Sequence, residues 1–110
     1  MDRTPLDGLA PKLLDVAASG PGGRSASTVY GGRNHILRQT LIALTAGTSL
    51  SEHENPGEAT VHVLLGRVRL LAGTDSCEGR QGDLMDIPQR RHALHALEDT
   101  AILLTVARKA

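Results

Sequence analysis

Five histidines, one cysteine and an adjacent arginine pair are the side chains of this 110-residue sequence best suited to chemistry. His53 and Asn55 stand two apart in "HENPGEATVHVLLG". Side chains of an extended strand alternate between faces, so this spacing sets an imidazole and an amide on one face. Strand parity puts His62 on the opposite face from His53, and His95, three residues after His92, on the opposite face from His92. His62 is therefore read as packing or interface and His95 as solvent or subunit face, with His35 at the loop end before the first long strand. Two adjacent guanidiniums, Arg90 and Arg91, sit near Pro88 in "IPQRRH", where they could hold a carboxylate or phosphate. Cys77 is flanked by Asp75 and Glu78, whose charges oppose a thiolate nucleophile. No glycine-rich phosphate loop follows a strand, and no local motif pairs a serine with His and Asp.

These residues need a scaffold, and composition bounds it. The length suits one domain. Twelve basic residues balance twelve acidic ones without a polybasic run, and Tyr30 is the only aromatic, so nucleic acid is not an expected partner. The apolar runs are too short to span a membrane. "MDRTPLDGLA" has neither a basic nor an apolar leader region, and Cys77 has no internal disulfide partner. A soluble cytoplasmic protein is expected, and arginine's excess over lysine suggests a bacterial one.

Leu6, Leu9, Leu13 and Val16 or Ala17 recur at helical spacing, with Pro11 tolerable in a first turn. "SGPGGRSAS" reads as a connector that loops or disorders. From Thr28 onward, short β-branched or Leu-rich runs alternate with turn residues at roughly ten-residue intervals, the pattern of a sandwich or barrel. Strands are expected near 26–31, 35–46, 50–54, 58–65, 67–73, 76–79, 83–87, 91–97 and 100–108, giving a helix and connector over 1–27 and a β domain over 28–110. "LIAL" and "AILLTVA" are apolar on both faces, so either the helix or a second subunit covers the sheet. One short helix covers little area, which favours a homodimer. Arg38, among apolar residues in "HILRQTLIAL", then needs a carboxylate partner or a place facing a cavity.

Two stretches, "AGTSLSEHENPGEATVHVLLGRVRL" and "GDLMDIPQRRHALHALEDTAILLTV", resemble the paired motifs of the cupin superfamily over roughly Arg33 to Lys109. Gly47, His53 and Gly66 match the first motif; Gly82 and Pro88 match the second, with His92 one residue early. The resemblance implies an all-β double-stranded β-helix, or jelly-roll, barrel with a short N-terminal helix, and a cavity whose metal ligands project inward. It also shows departures. The motif's second histidine falls on Asn55, its glutamate falls on Ala59 with Glu58 one residue out of register, and the glycine between Pro88 and His92 is missing.

A neutral amide suits hard ions better than the iron, manganese, nickel or zinc that cupins hold, and a lost carboxylate removes charge compensation. A bulge at Pro56-Gly57 would swing Glu58 inward and complete a His53, His92 and Glu58 metal set. Ordinary alternation instead keeps Ala59 inside. The expectation is a cupin that binds a small organic ligand through His53, Asn55, His92, Arg90 and Arg91, with a reduced or absent metal site. The alternative is a metal-dependent dioxygenase or isomerase using His53, His92 and either Glu58 or Asn55; whether the chain is an enzyme stays open.

Overall fold

A computed structural model describes residues 1–53 and 57–108, with the backbone alone at Glu52 and His53. The chain opens with helix α1 (Leu6–Ser19) and a 3₁₀ turn (Pro21–Gly23). Nine strands follow: β1 (Arg24–Tyr30), β2 (Leu37–Leu44), β3 (Ser49–His53), β4 (Gly57–Leu65), β5 (Arg67–Ala72), β6 (Asp75–Arg80), β7 (Leu84–Ile87), β8 (His92–Ala96) and β9 (Thr100–Arg108). Each expected strand is present, with its ends within two residues of the expected ones.

The strands form two antiparallel sheets, a five-stranded one ordered β1-β2-β9-β4-β7 and a four-stranded one ordered β3-β8-β5-β6. The chain changes sheet at most of its turns, so the sheets are wrapped together as a jelly roll. Gly66 is where β4 hands over to β5 in the other sheet, a corner rather than a hairpin within one sheet. Its φ of 81° is left-handed, and a Cβ there would collide with the Asp99 carbonyl oxygen. Only glycine fits this corner without strain.

Ile42, Leu44, Val61, Val63, Val68, Leu70, Leu94 and Ile102 pack between the sheets as the main core. A second cluster joins Ala10, Leu9 and Leu13 of α1 to Leu41, Ala101, Val29, Leu64 and Leu65 on the larger sheet's outer face. That cluster accounts for the strands apolar on both sides: β2 from Leu41 to Leu44 and β9 from Thr100 to Leu103 are buried because α1 covers them. The argument for a second subunit therefore loses its premise at these strands. Ala10 and Ala17 are the buried helix residues, while Val16 faces solvent, and Pro11 falls in the second turn rather than the first. Small side chains at the contact let the helix lie close to the sheet.

The glycine- and serine-rich stretch is a connector only in its first half. Gly22 and Gly23 turn the chain at positive φ, and "RSAS" already belongs to β1. This is an edge strand bonded on one side to β2, and its half-buried Ser25, Ser27 and Val29 alternate with exposed residues. Polar composition hid only the start of a strand, expected from residue 26, that needs little apolar surface of its own.

No helix among the described residues is long and apolar enough to cross a membrane.

Candidate functional site

Register fixes what lies at each level of the barrel. On the inner face of the larger sheet, one row runs from Arg38 on β2 through Val106 on β9 and Ala59 on β4 to Ile87 on β7. The next row inward is Thr40, Leu104, Val61 and Met85. In the smaller sheet, His53 and His92 are direct register partners on β3 and β8, with Leu50 and Leu94 paired deeper along the strands. The four-residue turn 88–91 joins Ile87 to His92, and both line one cavity in the barrel core. The two rows that hold Arg38 and His92 therefore mark the same end of the barrel.

His92 is 3% exposed, and with Thr100 it is one of the two buried polar residues among the described ones. Its Nδ1 lies 2.9 Å from the Arg90 carbonyl oxygen. A carbonyl only accepts, so Nδ1 carries the proton, and in the neutral ring Nε2 is the nitrogen with the lone pair. The backbone of the 88–91 turn thus orients the imidazole. The cavity beside it, lined by Leu50, Val61, Leu70, Ile87, His92, Leu94, Ile102 and Leu104, measures about 20 Å³, the room of a single water.

The remaining expected residues fall in different places. Glu58 is exposed on the outer face of β4, while Ala59 is buried. From Gly57 to Val63, β4 pairs with β9 without a register shift, so no bulge turns Glu58 inward and it does not join His92. Arg90 is exposed and paired with Asp75 at 2.5 Å, so its charge is taken up at the barrel's flank, while its carbonyl serves His92. Arg91 is exposed. Asn55 lies outside the described residues, as does the side chain of His53. The other histidines fall where strand parity set them: His95 is exposed on the outer face of β8, His62 is half-buried on the outer face of β4, and His35, before β2, meets the Tyr30 ring edge-on at 5.5 Å.

Arg38 is exposed, at the start of a strand that buries only its last four residues. The sequence reading took it for a charge on a strand covered on both sides. The strand overhangs the core instead, so the guanidinium reaches water while its backbone stays in the inner-face row.

A metal held by three histidines and a glutamate, which the motif resemblance implies, does not fit this barrel. The glutamate's position is the methyl of Ala59, and Glu58 points away. Among the described residues no three His, Cys, Asp or Glu side chains come together.

No family model matches the chain, and no curated protein does. Solved structures do. A conserved Streptococcus pyogenes protein of unknown function aligns with TM-score 0.74 at 24% identity, over 83% of this chain and 79% of that one. An RmlC-like cupin from Desulfovibrio desulfuricans aligns with TM-score 0.67 at 22% identity, over 76% and 81%. A salicylate 1,2-dioxygenase from Pseudaminobacter salicylatoxidans aligns with TM-score 0.73 at 17% identity, over 91% of this chain but 33% of its own. At these identities the likeness concerns the fold. Two wrapped antiparallel sheets, the motif glycines at their corners and these alignments lead to one conclusion: the chain has the cupin fold.

Proposed function

We propose that this cupin-fold protein binds a small organic molecule at the His53–His92 end of its barrel, with His92 as the polar reader and without the full metal set of the family. The observation that carries the reading is His92 itself, buried at 3% among aliphatic side chains with Nδ1 fixed by the Arg90 carbonyl. A protein that orients an imidazole in this way fixes which ring nitrogen donates and which accepts. Filled aliphatic packing below it, with room for about one water, keeps the ligand's body at the barrel end. Asn55 and His53 complete the expected contacts, Arg91 lies on the adjoining turn, and Arg90 acts mainly through its carbonyl.

The metal-dependent alternative draws support from the same Nδ1 hydrogen bond, since ligating histidines commonly donate their second nitrogen to a carbonyl. Any such centre would rest on His53, His92 and Asn55, a set with less negative charge than a divalent transition ion usually meets. Elemental analysis of chelator-free protein beside His53→Ala/His92→Ala separates the readings. Metal-free wild type that cannot be loaded is the expected result; a stoichiometric ion lost in the double variant would sink the proposal in favour of the metal enzyme.

The proposed homodimer would use the apolar side chains that α1 leaves exposed on the larger sheet's outer face. Leu37 and Leu84 are 39% and 69% exposed at opposite sides of the larger sheet's outer face. Sedimentation equilibrium tests this part of the proposal, and a monomer at high micromolar concentration would end it.

A further inference from the structure

The inner face of the smaller sheet carries Leu70 and Ala72 on β5, both buried, and β7 of the larger sheet turns Met85 inward towards them. β6 and β7 end their sheets and meet at one flank of the sandwich, away from β3 and His53 at the smaller sheet's other edge. Near Gly79 the Met85 sulfur fills the gap between them. Towards the β5–β6 turn the gap widens into a cavity of about 250 Å³. Its floor is Leu70, Ala72, Met85 and Pro88, and its rim carries Ser76, Cys77, Asp86 and the Arg90–Asp75 pair.

Each part of that lining selects for something. An aliphatic cavity of about 150 Å³ holds benzene, so this one has room for a six-membered ring with a short polar tail. Thioether and thiol sulfurs pack favourably against aromatic rings. The chain supplies no such ring here, since Tyr30, its single Phe, Tyr or Trp, stands on β1 at the far edge of the larger sheet. Of the rim's three charges two cancel, because Arg90 grips Asp75 at 2.5 Å. Asp86 makes no ion pair with any described residue. What remains at the mouth is one carboxylate beside an apolar floor, the complement of a cation carried on a flat apolar body.

We propose that the β6–β7 flank is a ligand site of its own, for a compact aromatic amine whose ring lies on Leu70 and Met85 and whose ammonium pairs with Asp86. The site stands apart from the barrel-end reading, because it uses neither His92 nor the 52–56 segment. Asp86 is exposed, so its charge adds a few-fold preference while burial of the ring supplies most of the affinity.

Phenethylamine, 2-phenylethanol and phenylacetate share a phenyl ring and a two-carbon tail and differ in charge. Cys77, the single cysteine, reports occupancy on the full chain through its rate of reaction with methyl methanethiosulfonate, read by mass spectrometry. Phenethylamine is expected to protect the thiol at the lowest concentration, the alcohol at about three times that, and phenylacetate at a higher one still. Asp86→Asn, at an exposed position, should bring the amine level with the alcohol and leave the alcohol unchanged. Amide shifts in ¹H–¹⁵N spectra should centre on residues 70, 76, 77 and 86, and should vanish once N-ethylmaleimide on Cys77 fills the cavity. Phenylacetate matching the amine, an amine preference that persists in Asp86→Asn, or no protection by any probe overturns the assignment. So does amine binding that survives the maleimide, which would place it elsewhere on the chain.

Discussion

Two motif glycines show how unequal formally similar residues are. Gly47 and Gly66 both have φ near 85°, at 86° and 81°. A Cβ at Gly47 meets nothing within 4 Å, whereas one at Gly66 would strike the Asp99 carbonyl and the Thr100 hydroxyl. Gly47→Ala should therefore cost about 1 kcal/mol of backbone strain. Gly66→Ala should cost at least twice that, because the corner's backbone must also move; equal losses on urea denaturation would contradict the collision. The candidate site was legible in the same uneven way. Motif spacing named His53 and His92 together, and their backbones are register partners on β3 and β8. Glu58 was legible too, since plain alternation puts Ala59 inside. Arg38 was not. Counting back by twos from Leu44 and Ile42 gives its face, but its exposure depends on how far β2 overhangs the core, which only the packed sheets determine.

Among the elements, the strands announced themselves through turn residues and apolar runs; only the first two residues of β1, Arg24 and Ser25, were masked by the glycine- and serine-rich stretch, because an edge strand under a helix can be built of serine and alanine. Helix α1 was legible as a helix, yet its task of covering Leu41 and Ala101 was assigned to another subunit. Buried alanines carry little apolar area in a sequence, but they let a helix approach closely enough to seal a large patch. On the opposite sheet, Arg69 and Arg67 on β5 grip Glu78 on β6, with Arg69 at 2.6 Å. The Arg69 hydrogen bond, followed by the charges of Arg69 and Arg67, holds the Glu78 carboxyl below its ordinary value. A depressed carboxylate stabilises the fold above its unfolded pKa and loses that contribution as pH falls through the folded value. The pair is exposed, so the effect is small. Wild type should melt slightly above Glu78→Gln at pH 7 and level with it near pH 3; a gap that persists in acid would show that packing, not charge, holds the hairpin.

At the scale of the whole molecule, the two sheets come together at one flank over a flexible side chain. Between edge strands β6 and β7, the Met85 sulfur occupies the space a Cβ at Gly79 would need, and Met85 is 7% exposed. Met1, the only other methionine, is fully exposed. Peroxide converts a thioether to a bulkier, polar sulfoxide. Met1 should oxidise at once, and Met85 only as often as the sheets part, so mass spectrometry of the second oxidation would time the native chain's opening. Equal rates at the two sulfurs would mean the flank never closes. Once oxidised, the bulkier polar sulfur is expected to pack less well against Gly79, so the flank should open more readily after the first event. The side chain packed between the two edge strands would then tie the protein's lifetime under oxidative stress to how often those strands part.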